Sequence, residues 1–206
     1  MMLSPPRPHD LLWLSSVQAL EDIQDKWVDD LWHYGLPVVV RRDTDTDGRI
    51  PVGVRGMKRG QRAAGWVQAA AITRLVMPET LADKQTLLRS SHLSQPPVQA
   101  AITLTDQHWP WSWGITGSTG YALATNIPVL HADSDLDLLI RAPSPPDREA
   151  LLHWQSQTVS LPCRVDTQLA TPFGAVALSE WLRGGRVLLK TSQGPRLTKA
   201  PWNSEE

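Results

Sequence analysis

The stretch that decides the fold is GITGSTGYALATNIPVLHADSDLDLLIR, which spans residues 114–141. Its second half is rich in Leu and Ile and stops at a Pro-rich segment, a pattern that predicts a β-strand over residues 134–140. Because side chains alternate between the two faces of a strand, we expect Asp135 and Asp137 to share one face. Adjacent carboxylates repel each other and are costly to bury unpaired, and a divalent cation removes that cost. Carboxylate oxygens suit hard cations, so the pattern predicts a site for Mg²⁺ or Mn²⁺.

The first half of the same stretch supplies glycines and a hydroxyl group immediately before a predicted helix. Gly117, Ser118 and Thr119 occupy this turn. Backbone N–H groups at such a turn can hold a phosphate, since the start of a helix carries partial positive charge. A phosphate cradle next to paired carboxylates predicts metal-dependent chemistry on a nucleotide-like substrate.

Composition and charge narrow the class of protein. The chain has 206 residues, of which 41% are hydrophobic and 20% charged, so a globular core is expected. The net charge of -1 provides no overall field that would favour a nucleic-acid polymer or an anionic membrane. No apolar run approaches the roughly 20 residues that span a bilayer, and the first ten residues lack the apolar core of a signal peptide. We therefore expect a cytoplasmic protein with no membrane or nucleic-acid partner.

Periodicity along the chain predicts a mixture of helices and strands in two domains. Apolar residues recur at intervals of three and four between Val17 and Tyr34, which predicts one long helix. Residues 90–97 are polar and contain a Pro-Pro pair, so the domain boundary is placed there, between domains 1–92 and 93–206. The alternation of elements favours an α+β or α/β architecture. Further helices are predicted over residues 78–88, 100–106, 146–158 and 175–182, and strands over 37–42, 50–55, 109–113, 164–168 and 186–190.

The Gly-Ser turn, the Asp-x-Asp strand and the later Asp166 resemble the nucleotidyltransferase superfamily of polymerase beta and its relatives. In that superfamily the Gly-Ser pair opens a helix and contacts phosphates, and three carboxylates on neighbouring strands hold divalent metal. The resemblance implies that Asp135, Asp137 and Asp166 are catalytic metal ligands, with Gly117, Ser118 and Thr119 as phosphate-binding residues. One difference is that sixteen residues separate Ser118 from Asp135, a longer interval than is usual there.

A second resemblance covers most of the chain, from about Arg7 to about Trp202. Its order of motifs is similar to the phosphoribosyl-dephospho-CoA transferase family, the holo-[acyl-carrier-protein] synthases of malonate decarboxylase. The motifs that carry it are RPHDL (residues 7–11), PVVVRR (37–42), PVGVRG (51–56), RGQR (59–62), GITGSTG (114–120), SDLDLLI (134–140) and DTQ (166–168).

This family resemblance implies both the architecture and the reaction. The expected fold is α+β, with a small N-terminal α/β domain followed by a nucleotidyltransferase-like mixed-sheet domain. The implied reaction moves the prosthetic group of 2′-(5″-triphosphoribosyl)-3′-dephospho-CoA to a serine of the apo acyl-carrier subunit of malonate decarboxylase, and pyrophosphate leaves. Asp166 is implied either as a ligand of a second metal ion or as the base that takes the serine proton.

Basic residues in the N-terminal half form a further candidate set. A run of charges is most often a solvated face. The functional alternative is that some of these residues, Arg59 and Arg62 in particular, steer the triphosphate or dock the carrier protein. Lys190 on the last predicted strand is another candidate for phosphate binding. The whole N-terminal set is Arg41, Arg42, Arg55, Lys58, Arg59 and Arg62.

Several alternatives remain open from the sequence. Asp135 and Asp137 could be ordinary charges at a solvated strand edge. The enzyme could be a Mg²⁺-dependent nucleotidyltransferase with a different hydroxyl acceptor, or act on citrate lyase. A nucleotide-binding or carrier-binding module without catalysis is the alternative from another class. Trp109, Trp111 and Trp113 are predicted to pack in the core, with stacking on an adenine as the alternative.

Overall fold

The computed structural model describes residues 5–56 and 60–203. The chain divides into two compact units, one that ends at Met77 and one that begins at Pro78. Each unit contains its own sheet, and both units contain helices, so the predicted α+β class is confirmed. Among the described residues, no helix combines the length and the apolar character that crossing a membrane requires.

The first unit is built on a five-stranded sheet in which neighbouring strands are antiparallel throughout, in the order β4-β3-β2-β1-β5. The strands predicted over residues 37–42 and 50–55 are present as the hairpin β2–β3, and the Asp-Gly turn between them contains Gly48 at a φ of +73°. The elements are β1 (Leu11–Leu14), α1 (Trp27–Leu31), β2 (Val38–Val40), β3 (Ile50–Arg55), β4 (Arg62–Val67) and β5 (Ile72–Val76).

The long helix predicted between Val17 and Tyr34 is wrong. Only a short 3₁₀ turn at Val17–Ala19 and the single-turn helix α1 are helical in this interval. Between them, Glu21 forms a backbone bridge with Trp66 of β4. The apolar side chains of the interval, such as Ile23, pack against the sheet from an extended backbone. Tertiary contacts therefore override the helical periodicity of this interval.

The second unit is built on a six-stranded mixed sheet in the order β11-β10-β9-β8-β7-β6. Strands β7 and β8 are parallel, and the other neighbouring pairs are antiparallel. The elements are α2 (Pro78–Leu81), α3 (Lys84–Leu88), α4 (Pro96–Thr105), β6 (Trp113–Ile115), α5 (Gly117–Thr125), β7 (Leu136–Arg141), α6 (Arg148–Val159), β8 (Val165–Thr171), β9 (Gly174–Ala177), α7 (Leu178–Arg183), β10 (Val187–Thr191) and β11 (Gly194–Thr198).

The sequence places several of these elements correctly and misses two strands. Residues 175–182, predicted as one helix, begin as the strand β9 and become helical only at Leu178. The polar stretch that begins at Pro195, for which no strand is predicted, forms most of the edge strand β11. Both strands are short and depend on pairing with a neighbour, so their own residues carry little periodic signal.

The domain boundary predicted between residues 92 and 93 lies further along the chain than the boundary between the two compact units, which falls after Met77. Helix α2 belongs to the second unit because it packs against β6, where Gly114 leaves room for it. A β-carbon at Gly114 would lie 2.3 Å from the carbonyl carbon of Pro78. Arg141 of β7 also forms an ion pair with Glu79 of α2, with 2.7 Å between Nε and Oε1.

A cluster of tryptophans fills the space between the sheet of the second unit and α6. Trp154 of α6 is fully buried, and the rings of Trp109 and Trp113 meet it edge-on at centroid distances of 4.7 and 5.5 Å. Its indole N–H donates to the Thr167 hydroxyl of β8 at 3.0 Å. Core packing is thus the role of Trp109, as predicted, although the strand predicted there is confined to Trp113–Ile115.

Replacing Thr167 by Val is expected to destabilise the second unit by about 1–3 kcal/mol, because the buried Trp154 N–H loses its acceptor while the side-chain shape is kept. Thr167→Ser retains the hydroxyl and is the matched control. Urea denaturation followed by tryptophan fluorescence would measure both variants. If Thr167→Val unfolds at the same urea concentration as Thr167→Ser, the hydrogen bond does not stabilise the core.

Candidate active site

Asp137 and Asp166 lie side by side on the two parallel strands of the second unit. They are direct register partners in the β7–β8 pair. Neighbouring strands are about 4.8 Å apart, and register partners present their side chains on the same face of a sheet. Asp137 is half-buried between the fully buried Leu136 and Leu138, whereas Asp166 is exposed. The fold therefore creates a pair of adjacent carboxylates from residues that are far apart in the sequence.

Asp135 lies immediately before β7 and is held by its backbone. Its carbonyl oxygen accepts a hydrogen bond from the Thr119 hydroxyl at 3.4 Å. Thr119 is fully buried, so this side chain ties the start of helix α5 to the start of β7. The side chain of Thr119 thus has a positioning role, and its backbone N–H remains part of the first turn of α5.

The start of α5 is pressed against the Asp137 carboxylate. Thr116, the residue that precedes the helix, donates its backbone N–H to the Asp137 carbonyl oxygen at 2.9 Å, and its hydroxyl donates to the same oxygen at 3.3 Å. Gly117 follows with a φ of +62°, a conformation that favours glycine. A β-carbon at Gly117 would lie only 2.0 Å from Asp137 Oδ2. Glycine is therefore required both by the backbone angle and by the neighbouring carboxylate.

This contact brings two opposite electrostatic features together. The first N–H groups of a helix have no partner within the helix and carry partial positive charge. Helix α5 begins at Gly117, and the N–H of Gly120 bonds to the carbonyl of Thr116, the residue that precedes the helix, at 2.9 Å. An anion at this terminus would lie close to the Asp137 carboxylate. A phosphate bound there needs a cation between the two negative groups.

Arg164 is the basic residue nearest to the carboxylates among those whose contacts are described. Its guanidinium Nη2 lies 2.8 Å from Asp166 Oδ2. The hydrogen bond to Asp166, followed by the charges of Asp166, Asp135 and Asp137, raises the pKa of Arg164 above its ordinary value. The charges of all three carboxylates therefore act on the Arg164 guanidinium. The pair is exposed on both sides, so it contributes little to stability.

A cleft of about 520 Å³ opens beside β8 and contains both register-paired carboxylates. Lys190 of β10 lines the same cleft as Asp137 and Asp166. Cys163 also lines it, and burial together with the charge of Asp135 raises the pKa of its thiol, so the thiol stays protonated and is a poor nucleophile. The other lining residues are Gln155, Thr158, Val159, Arg164, Val165, Thr167, Gln168, Ala177, Leu178 and Ser179.

The remaining predicted site residues belong to the first unit or lie outside the described part of the chain. Arg62 is exposed at the start of β4, in the first unit. Arg59 and Lys58 lie outside the described residues. Within residues 5–56 and 60–203, no group of three His, Cys, Asp or Glu side chains is placed to hold a metal ion. The three-carboxylate ligand set stays a prediction.

Sequence reasoning missed two residues of this site, Arg164 and Thr116. Both have a signal in the sequence that could have identified them. Arg164 stands two residues before Asp166, so the pair shares one side of the chain as β8 begins. Thr116 stands directly before the Gly-Ser pair, where a hydroxyl residue is typical of a helix start. Its hydroxyl bonds to β7 and does not cap its own helix.

The fold and the site together define the class of protein. It is a two-unit α+β protein whose second unit sets a helix N-terminus against paired carboxylates at the mouth of a cleft. Two family models match the chain, and their descriptions are "Phosphoribosyl-dephospho-CoA transferase MdcG N-terminal domain" for residues 7–78 and "MdcG C-terminal domain" of the same transferase for residues 81–201. The chain belongs to the phosphoribosyl-dephospho-CoA transferase family. Its general function is the transfer that the family name states.

Curated relatives agree with this assignment over at least 94% of their length. A phosphoribosyl-dephospho-CoA transferase of Klebsiella pneumoniae is 67% identical over 100% of both chains. The proteins of that name from Azotobacter vinelandii and Pseudomonas aeruginosa are 45% and 42% identical, over 96% and 98% of this chain and 94% and 96% of their own. Comparison with the solved structures finds none that matches.

Proposed function

We propose that this chain transfers phosphoribosyl-dephospho-CoA from 2′-(5″-triphosphoribosyl)-3′-dephospho-CoA to a serine of the apo acyl-carrier subunit of malonate decarboxylase. The observation that carries the proposal is the contact between Gly117 and the Asp137 carboxylate, beside the register partner Asp166. It sets a phosphate-binding helix terminus next to two carboxylates, which is the arrangement of a nucleotidyltransferase-like site. The membership of the family supports the donor, and the resemblance supplies the acceptor.

The reaction is a substitution at the α-phosphorus of the donor. A bond forms between the serine hydroxyl oxygen and this phosphorus, and the bond from the phosphorus to the bridging oxygen of the pyrophosphate breaks. The serine proton passes to a base, and the electron pair of the broken bond leaves with pyrophosphate. Catalysis of such a step consists mainly of alignment and of neutralising the phosphate charge.

The residues of the site fit a hard divalent cation such as Mg²⁺ or Mn²⁺. Asp137 and Asp166 provide carboxylate oxygens from neighbouring strands, and Asp135 adds a third negative charge nearby. Protein sites for Mg²⁺ commonly use one or two carboxylates and take their remaining oxygens from substrate phosphates and water. When bound, the cation would neutralise charge on the transferring and leaving phosphate oxygens.

The protein groups then divide the remaining work. The start of α5 at Gly117 and Ser118 binds the outer phosphates of the donor, and the carboxylates would hold the cation that neutralises the phosphate charge. Lys190 lines the cleft and provides a mobile positive charge for the leaving pyrophosphate. Asp166 is exposed to the cleft, where it acts either as a cation ligand or as the acceptor of the serine proton.

A mass measurement of the acceptor tests the proposed function. Purified protein is mixed with Mg²⁺, the triphosphoribosyl donor and the apo acyl-carrier subunit, and the carrier is weighed by mass spectrometry. The expected result is a gain equal to one phosphoribosyl-dephospho-CoA group, with one pyrophosphate released for each carrier modified. A carrier whose serine is replaced by alanine is the control. Donor binding without any gain in carrier mass would indicate a binding module, and a gain on another hydroxyl compound alone would indicate a different acceptor.

Replacing Arg164 by Gln is expected to strengthen the binding of a divalent cation about tenfold. The reason is that the guanidinium competes for the Asp166 carboxylate and adds positive charge near Asp135 and Asp137. Titration with Mn²⁺ followed by electron paramagnetic resonance measures the dissociation constant without any substrate. Arg164→Lys keeps the charge and should stay near the wild-type affinity. Weaker Mn²⁺ binding in Arg164→Gln would show that the guanidinium supports the cation site.

A further inference from the structure

One face of the C-terminal hairpin β10–β11 is open to solvent and combines apolar with basic side chains. Along β10, Val187 and Leu189 are fully buried, whereas Leu188 and Lys190 are exposed. Leu188 lies directly opposite Leu197 of β11, and these two side chains are 37% and 56% exposed. Two exposed leucines that face each other across a strand pair form one apolar patch on the surface. A patch of this type is typical of a site where another molecule binds.

Positive charge surrounds these leucines. Lys190 lies at one end of the face, and Arg186 and Lys199 flank its other end, next to the register pair Val187 and Thr198. All three basic residues are exposed. Glu180 of α7 contacts the same strand, since its carboxylate accepts the N–H of Leu188 at 3.0 Å. The charge of the face is therefore positive, with one carboxylate bonded to the backbone of β10.

This face is continuous with the cleft of the candidate active site. Lys190 lines the cleft together with Asp137 and Asp166. The strand registers connect this face to the cleft. Lys190 pairs with Ala175, and Ala175 pairs with Ala170 of β8. Ala170 shares its face with Asp166, four positions earlier on the same strand. A molecule that covers the hairpin therefore reaches the cleft that Asp137 and Asp166 line.

The edge position of β11 limits how a partner can attach. β11 is the last strand of the sheet, and its exposed residue Pro195 has no N–H to donate. A proline on an edge strand opposes the addition of another strand. A partner is therefore expected to bind through the side chains of the open face and not by extending the sheet.

We propose that the open face of the β10–β11 hairpin docks the acceptor protein through an acidic surface next to its serine. This inference rests on the proposed function and adds to it the position of the partner. Charge complementarity selects an acidic protein, and the leucine pair provides the apolar contact at the centre of the interface. The continuity with the cleft lets a serine at the border of the docked surface reach the donor phosphates. The docking face is defined by Arg186, Leu188, Lys190, Pro195, Leu197 and Lys199.

Two substitutions that avoid the cleft test this surface. Leu197→Glu and Lys199→Glu are each expected to raise the KM for the apo acyl-carrier subunit at least about tenfold, with kcat at saturating acceptor and the KM for the donor unchanged. Lys199→Gln removes charge without reversing it and should give an intermediate effect. Leu152→Glu is the matched control, because Leu152 is a comparable exposed leucine on α6 and is 45% exposed.

Direct binding separates this proposal from the proposed function. Calorimetry with the apo acceptor and no donor measures the affinity for the wild-type protein and for each variant. Weaker binding in Leu197→Glu and Lys199→Glu, with wild-type affinity in Leu152→Glu, supports the docking face. Equal affinities in the wild type, Leu197→Glu, Lys199→Glu and Leu152→Glu, or no binding by the wild type, overturn it. A wild-type protein that binds the acceptor through this face without modifying it would overturn the proposed transfer alone.

Discussion

Asp137→Asn is expected to lower the rate of transfer about a thousandfold or more and to leave the fold intact. Asp137 has its carboxylate at the start of α5 and its register partner Asp166 on the neighbouring strand. The amide keeps the shape but removes the charge that a hard cation requires, and loss of such a ligand costs several kcal/mol of transition-state stabilisation. The measurement is the initial rate of carrier modification, followed by mass spectrometry.

Stability measurements distinguish a loss of catalysis from a loss of folding. Asparagine keeps the size of the side chain, so Asp137→Asn should still unfold in one cooperative thermal transition, and its midpoint measures any change in stability separately from the rate. Asp133→Asn is the matched control, since Asp133 is an exposed aspartate in the turn before β7. Its rate should remain within about twofold of the wild type. A folded Asp137→Asn protein that still modifies the carrier at the wild-type rate would remove Asp137 from the mechanism.

The second large effect is expected from Gly117→Ala. The added β-carbon would lie 2.0 Å from Asp137 Oδ2, a distance that no real contact tolerates, so the carboxylate or the start of α5 must move. Displacement of a catalytic group by about 1 Å commonly costs about a hundredfold in rate. The left-handed backbone at a φ of +62° adds strain of about 1–2 kcal/mol. We expect at least a hundredfold loss of transfer and a lower thermal midpoint.

Gly184→Ala separates the clash from the strain. Gly184 also has a positive φ, of +81°, but a β-carbon there would meet nothing within 4 Å. This variant should lose about as much stability as backbone strain alone causes and should keep its rate of transfer. If Gly117→Ala and Gly184→Ala lose stability and activity in equal proportion, the loss at Gly117 comes from strain and not from the displaced carboxylate.

Local sequence patterns predict those secondary-structure elements whose formation depends on a single segment of the chain. The apolar run from Leu136 to Ile140 forms β7, and the glycine turn at Gly117 opens α5, as predicted. The hairpin that joins β2 to β3 also follows from the Asp-Gly turn and its flanking valines. These elements carry their own signal because periodicity and turn residues act within a few positions of each other.

Patterns failed where an element depends on a distant partner. The interval from Val17 to Tyr34 has helical periodicity, yet its backbone pairs with Trp66. The strand β11 has no apolar alternation to identify it and exists because β10 pairs with it. The local spacing of Arg164 and Asp166 indicates their ion pair, but the proximity of Arg164 to Asp135 and Asp137 depends on the pairing of β7 with β8.

The amino-acid sequence by itself determined the α+β class, the family and the identity of the candidate residues, because these depend on residue types and on their order. Only the tertiary structure decided which of them meet. The parallel register of β7 and β8 sets Asp137 beside Asp166, and the approach of α5 makes glycine necessary at position 117. The packing of α2 against β6 places the boundary between the two units after Met77. Distances between segments depend on how the strands pair and how the helices pack on them, and no local pattern of residues encodes these distances.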